Sequence, residues 1–119
     1  MNIPSWINVA ERAAKGFLKS QQRDSVIYAK YIKEWAPAVE WRCPTGIAQI
    51  SIVYLKLHIL NRRNEWLEAA DDNIEYLLTI QGRGNENVKG AILGSDPIDG
   101  PYMLNSYLSW ATKFFLEAL

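Results

Sequence analysis

Two aspartates stand three residues apart in "GSDPIDGPY", Gly94 to Tyr102. Paired carboxylates in one loop are the residue types that general acid–base chemistry needs, so Asp96 and Asp99 are the candidate catalytic pair. Asp-Pro and Asp-Gly-Pro are also turn-forming sequences in their own right, and that is the stronger reading of the same residues. The chain's one cysteine, Cys43, opens "RCPTGIAQISIVYLKLHIL". A thiol beside Arg42 and a helix start could be activated, yet no histidine base lies nearby, and a buried structural cysteine is favoured. The one histidine, His58, sits near the far end of the same segment and reads as a packed or end-capping residue. With a single Cys and a single His there is no zinc set, so neither a metal nor another cofactor is expected.

Helix N-termini offer unpaired N–H groups and positive potential to a ligand. That points to the segments Trp41–Gln49 and Asp96–Asn105, with Trp41, Arg42, Cys43, Thr45, Gln49, Tyr102 and Asn105 as candidate binding residues. Trp35, Trp41, Tyr102 and Trp110 could form an aromatic wall for a sugar ring or an isoprenoid. Core packing is the plainer role, above all for Trp110.

Four helices must position these residues. The spacing of apolar residues predicts them at about Ser5–Gln21, Thr45–Leu60, Asn64–Gln81 and Asn105–Leu119. Pro4 and Ser5 suit the first start, Thr45 and Asn64 read as N-caps, and Asn61, Gly82 and Gly84 read as stops. The first and third helices carry one apolar stripe each. The second and fourth are apolar nearly all round, which predicts burial all round. The fold class is therefore all-α: an outer helix followed by an inner helix, twice, with a long loop before each inner helix. Weak strand-like turns are expected around Val26–Ile32 and Val88–Leu93.

The halves align at a shift of about sixty residues, which divides a single domain 1–119 into repeats of about 1–60 and 61–119. Trp6 falls on Trp66, Ala10 on Ala70, Leu18 on Leu78, Gln21 on Gln81 and Arg23 on Arg83. Each outer helix ends in a leucine–glutamine signature, "FLKSQ" and "YLLTIQ", the second followed by "GNENVKGAI". These residues resemble the glutamine–tryptophan repeat of the terpenoid-cyclase and prenyltransferase α/α toroids. Ile92 stands where that repeat has its tryptophan. "C-x-T-G-x-A-Q" from Cys43 to Gln49, and the segment from Gly94 to Phe115, are similar to squalene-cyclase-like repeat proteins of unsettled activity. The resemblance implies a two-hairpin, C-terminal piece of a toroid. The acid motif of the class II cyclases is absent, and "AADDN", Ala69 to Asn73, lies on an outer helix.

The charge balance, thirteen basic against thirteen acidic residues, gives no basic face for nucleic acid and no polybasic run for a membrane surface. The most apolar helix is too short and too polar to span a bilayer. One cysteine and the lack of a secretory leader point to the cytoplasm. Two hairpins leave apolar inner faces uncovered, so the chain is expected to self-associate or to complete a longer toroid. Two readings of function follow. One is a self-associating repeat domain that takes a carbohydrate or lipid-like ligand at the inner-helix N-termini. The other is a glycan- or terpenoid-processing enzyme using Asp96 and Asp99.

Overall fold

In a computed structural model, residues 5–82 and 86–119 are described, and they form an all-helical fold. Pro4, Arg83 and Gly84 lie outside the described residues. The helices are α1 (Ser5–Asp24), α2 (Pro44–Asn61), α3 (Asn64–Ile80) and α4 (Ser109–Ala118). Short 3₁₀ turns at Lys33–Trp35 and Glu86–Val88 interrupt the two long loops. None of the described helices is long and apolar enough to cross a membrane.

The central helix is α2, packed against α3 along its length and against α4 on another face. Its start is set by Pro44, whose fixed φ suits the first helical position and whose missing N–H costs nothing there. Thr45 is thus inside the helix rather than its cap; Cys43 holds the cap position. The other end stops because Arg62 turns left-handed (φ 56°) and its N–H bonds the His58 carbonyl at 2.8 Å. His58 Nδ1 also lies 3.0 Å from the Arg63 carbonyl, so the histidine closes the α2–α3 turn, the end-capping role expected of it.

Two apolar clusters fill the interior. One joins Ile47 and Ala48 of α2, Leu77 and Ile80 of α3, Ala111 and Phe115 of α4, and Ile27, Ile92, Leu93 and Leu108 from the loops. The other joins Ala14 and Leu18 of α1 to Tyr54, Leu57, Trp66, Ala69 and Ala70. Both long loops fold back on themselves before their helix: Ala29 N–H bonds the Trp41 carbonyl in the first, and Leu108 N–H bonds the Ile92 carbonyl in the second. The strand-like expectation reduces to isolated bridges, Tyr31 with Pro37 and Leu93 with Tyr107.

Three expectations need correction. The fourth helix begins at Ser109, not Asn105: Leu108 and Tyr107 are apolar because they pack as loop residues, so the apolar run overshoots the helix. The second helix is not buried all round, since Gln49, Ile59 and Leu60 are exposed. Nor is the stripe of α1 covered along its length. Its first buried residue is Ala14, and Trp6 and Val9 are 69% and 56% exposed. The nine residues before Ala14, about 13 Å of helix, thus contribute no buried residue; the molecule measures 50 × 29 × 22 Å. Trp6 and Trp66, aligned by the repeat, therefore sit in opposite environments, for Trp66 is fully buried.

Candidate functional site

Arg42 and Asp96 are brought together by their main chains. Arg42 N–H bonds the Asp96 carbonyl at 2.9 Å, and Asp96 N–H bonds the Arg42 carbonyl at 3.0 Å. This pair joins the two long loops in front of α2, so residues from both halves of the chain meet at one place. The junction rests on α3: the Tyr76 hydroxyl donates to the Asp96 carboxylate at 2.7 Å, and the Arg42 guanidinium lies 4.8 Å from the Tyr76 ring centroid. Burial first, and then the Asp96 carboxylate, push the Tyr76 phenol well above its ordinary value, while Arg42 pulls the other way. The phenol is a fixed donor at neutral pH.

Asp96 and Asp99 do not act on a common point. Asp96 faces inward onto Tyr76; Asp99 is exposed on a turn closed by Gly100 N–H to the Pro97 carbonyl at 2.9 Å. Gly100 is required there, because a Cβ would lie 2.6 Å from that of Ser95. Ser95 is buried and donates to the Tyr102 carbonyl at 2.7 Å. Tyr102 is on the outer side, where its hydroxyl accepts from Trp110 Nε1 at 3.2 Å, and Asn105 is exposed with φ 53°.

The residues at the start of α2 divide by environment. Cys43 borders a pocket of about 110 Å³ with Phe17, Ile27, Ala29, Ile47 and Ile50, which is apolar and lies under the first loop. Trp41 is half-buried; Gln49 faces solvent; Thr45 is buried with no partner for its hydroxyl. The aromatic wall does not form as one surface. Trp35 packs on Phe17 and Tyr31 and lies over Gly16, while Trp110 pairs with Tyr102. The Trp35 carbonyl is held by Ser20 Oγ at 3.2 Å and Arg23 Nη2 at 3.0 Å, which fastens the first loop to α1.

Sequence reasoning missed the seam between α1 and α3. Gln21 Nε2 donates to the Ala69 carbonyl at 2.9 Å, and its Oε1 is buried without a partner. Asn73 Nδ2 is buried in the same state, and both residues border a pocket of about 100 Å³ that also touches Arg42 and Tyr76. The repeat had marked Gln21 as a recurring residue; nothing in the spacing pointed to Asn73 or Tyr76. Among the described residues no group of three or more His, Cys, Asp or Glu is placed to hold a metal ion. No family model matches the chain, and neither the curated proteins nor the solved structures contain a significant match.

Proposed function

We propose that the protein is a helical binding module that works as an assembly of copies. The observation that carries this reading is the uncovered stripe of α1: Trp6, Val9, Ala10 and Ala13 recur at helical spacing and are exposed, in a half-helix with no buried residue, and Ile59 and Leu60 at the end of α2 are also exposed. Contiguous apolar surface of this kind marks an interface. Charge favours a second copy as the occupant. In α1 the bases Arg12, Lys15, Lys19 and Arg23 outnumber Glu11 and Asp24, whereas α3 carries Glu65, Glu68, Asp71, Asp72 and Glu75 with no lysine or arginine. A net-basic α1, its excess carried by Lys15, Lys19 and Arg23 in the packed half, and an acidic α3 on a chain of zero formal charge suit attraction between copies. Completion of a longer α/α toroid would use the same apolar surfaces. Light scattering across a concentration series tests the assembly. A dimer or larger species that Trp6→Ser converts to monomer is expected; a wild-type monomer at every concentration overturns it.

The ligand of the module is placed in this proposal at the start of α2. The apolar pocket beside Cys43 supports a lipid-like chain end over a sugar, since its wall offers few polar groups. Cys43, the only thiol and half-buried, is a built-in reporter, and its unpaired state suits a reducing cytoplasm. Decanoate should slow its reaction with a thiol reagent, and glucose should not. An enzyme using Asp96 and Asp99 has less support, because one carboxylate is engaged by Tyr76 and the other stands on an exposed turn.

A further inference from the structure

Three neighbouring recesses run along the seam between the C-terminal half of α1 and α3, and two residues border all of them: Gln21 and Asp72. Gln21 is 6% exposed. Its amide is locked by the bond from Nε2 to the Ala69 carbonyl, which leaves Oε1 buried and unpartnered in a residue that borders every recess. An acceptor left in that state is unfavourable, so a ligand that brings a donor is favoured. Asp72 is exposed at the rim, with Glu68 one turn before it and Glu75 one turn after. The widest recess, about 510 Å³, adds the oxygens of Ser25 and Thr79 and the carboxylate of Glu75.

The wall is thus rich in acceptors and negative on balance: Glu65, Glu68, Asp72 and Glu75 line it, against one cation, Arg42, at the recess shared with Asn73. A neutral polyol could supply donors but would leave the carboxylate field unanswered, and an anion would be repelled. Attraction between opposite charges, and repulsion between like ones, is several times stronger at a protein surface than in bulk water. That difference favours a cation. A hard metal ion needs several oxygens converging on one point, and among the described residues no three His, Cys, Asp or Glu side chains gather to hold one. An ammonium needs only separate acceptors for its N–H groups.

We propose that this seam binds a primary alkylammonium ion. Its N–H groups donate to Gln21 Oε1 and to the Asp72 carboxylate. Glu68 and Glu75, offset by about 6 and 4.5 Å along the helix axis, take a second amino group on a linear polyamine. Behind Gln21, the pocket shared with Asn73 has room for a ligand hydroxyl or a water, either of which accepts from Asn73 Nδ2. Gln21 and Asp72 do not line the pocket beside Cys43, although Ile27 and Ile47 border both it and the recess behind Gln21; the amine seat depends on neither the assembly nor the lipid-like ligand proposed above.

The test is titration of the full chain with spermidine while the side-chain amide signals of Gln21 and Asn73 are followed by NMR. A saturable shift is expected. Asp72→Asn should weaken binding about fivefold or more, and Asp71→Asn should not; both positions are exposed, so neither substitution threatens folding. Tetramethylammonium, a cation without N–H donors, should leave the signals unmoved. An N-acetyl-lysine amide that binds as tightly as spermidine supports the seat and assigns its natural source to a lysine side chain. The proposal is overturned if tetramethylammonium matches spermidine, if glucose saturates the signals and spermidine does not, or if Asp72→Asn leaves the affinity unchanged.

Discussion

Tyr76 and Asp96 are twenty residues apart in sequence, and the hydroxyl of one donates to the carboxylate of the other at 2.7 Å. That bond anchors a loop junction to a helix, because the same aspartate is paired through its main chain with Arg42. Tyr76→Phe removes the donor and leaves a half-buried carboxylate without it. A loss of about 1–2 kcal/mol in stability is expected from urea unfolding. Asp99→Asn, on the exposed turn, should stay within about 0.5 kcal/mol of wild type. Equal losses in the two variants would mean that the junction holds without this bond.

Alkaline pH should act through the same tyrosine. Burial raises the phenols of both Tyr54 and Tyr76 above the ordinary value of 10.0. A phenol whose folded value is raised stabilises the fold fully below the unfolded value, and that contribution is lost as pH rises above 10.0 toward the folded value. Stability should therefore fall with rising pH above about 10. The fall should be shallower in Tyr76→Phe and in Tyr54→Phe, measured by denaturant unfolding across the alkaline range.

Much of the chain's shape was legible in its apolar spacing. The second and third helices end within a residue of where periodicity put them, because their apolar positions pack at nearly every turn. The start of α4 was not legible, because Tyr107 and Leu108 continue the apolar run while serving the loop. Arg42 and Asp96 stood out as separate loop residues, but their pairing is a long-range contact that no local spacing encodes. Tyr76 read as one more residue of an outer helix. Gln21 was visible as a recurring glutamine, yet its value lies in an oxygen left free by the bond to Ala69, and only the packing of α1 on α3 reveals it.

Gly16→Ala should be far more damaging than its size suggests. A Cβ at Gly16 would stand 2.0 Å from the Trp35 ring, inside the rigid indole rather than near a flexible chain end. Overpacking of this kind costs about 1–3 kcal/mol. It should also displace Trp35 from Phe17 and Tyr31, which near-ultraviolet circular dichroism would register as a lost aromatic signal. An unchanged spectrum would place the indole elsewhere in solution.

Thr45→Val should stabilise the protein. The Thr45 hydroxyl is buried without a partner, and valine keeps its shape while removing the unpaired group. A gain of about 1 kcal/mol is expected, read as a higher thermal midpoint. A loss would mean that the hydroxyl is engaged by solvent or ligand in the folded protein.

The half of α1 before Ala14 also divides the molecule by how long its backbone bonds should survive. Nine helical residues with no buried member draw their order from the packed half of α1 they continue, since short helices in water are only marginally formed on their own. The amides of the first turns of α1 should exchange with solvent by local opening, and those around Trp66, Tyr54 and Phe115, the largest fully buried side chains, only when the whole fold opens. The protein thus combines a rigid block with a segment whose order is conditional. Docking onto that segment would lengthen the ordered helix, so part of any binding energy there goes into completing α1 itself.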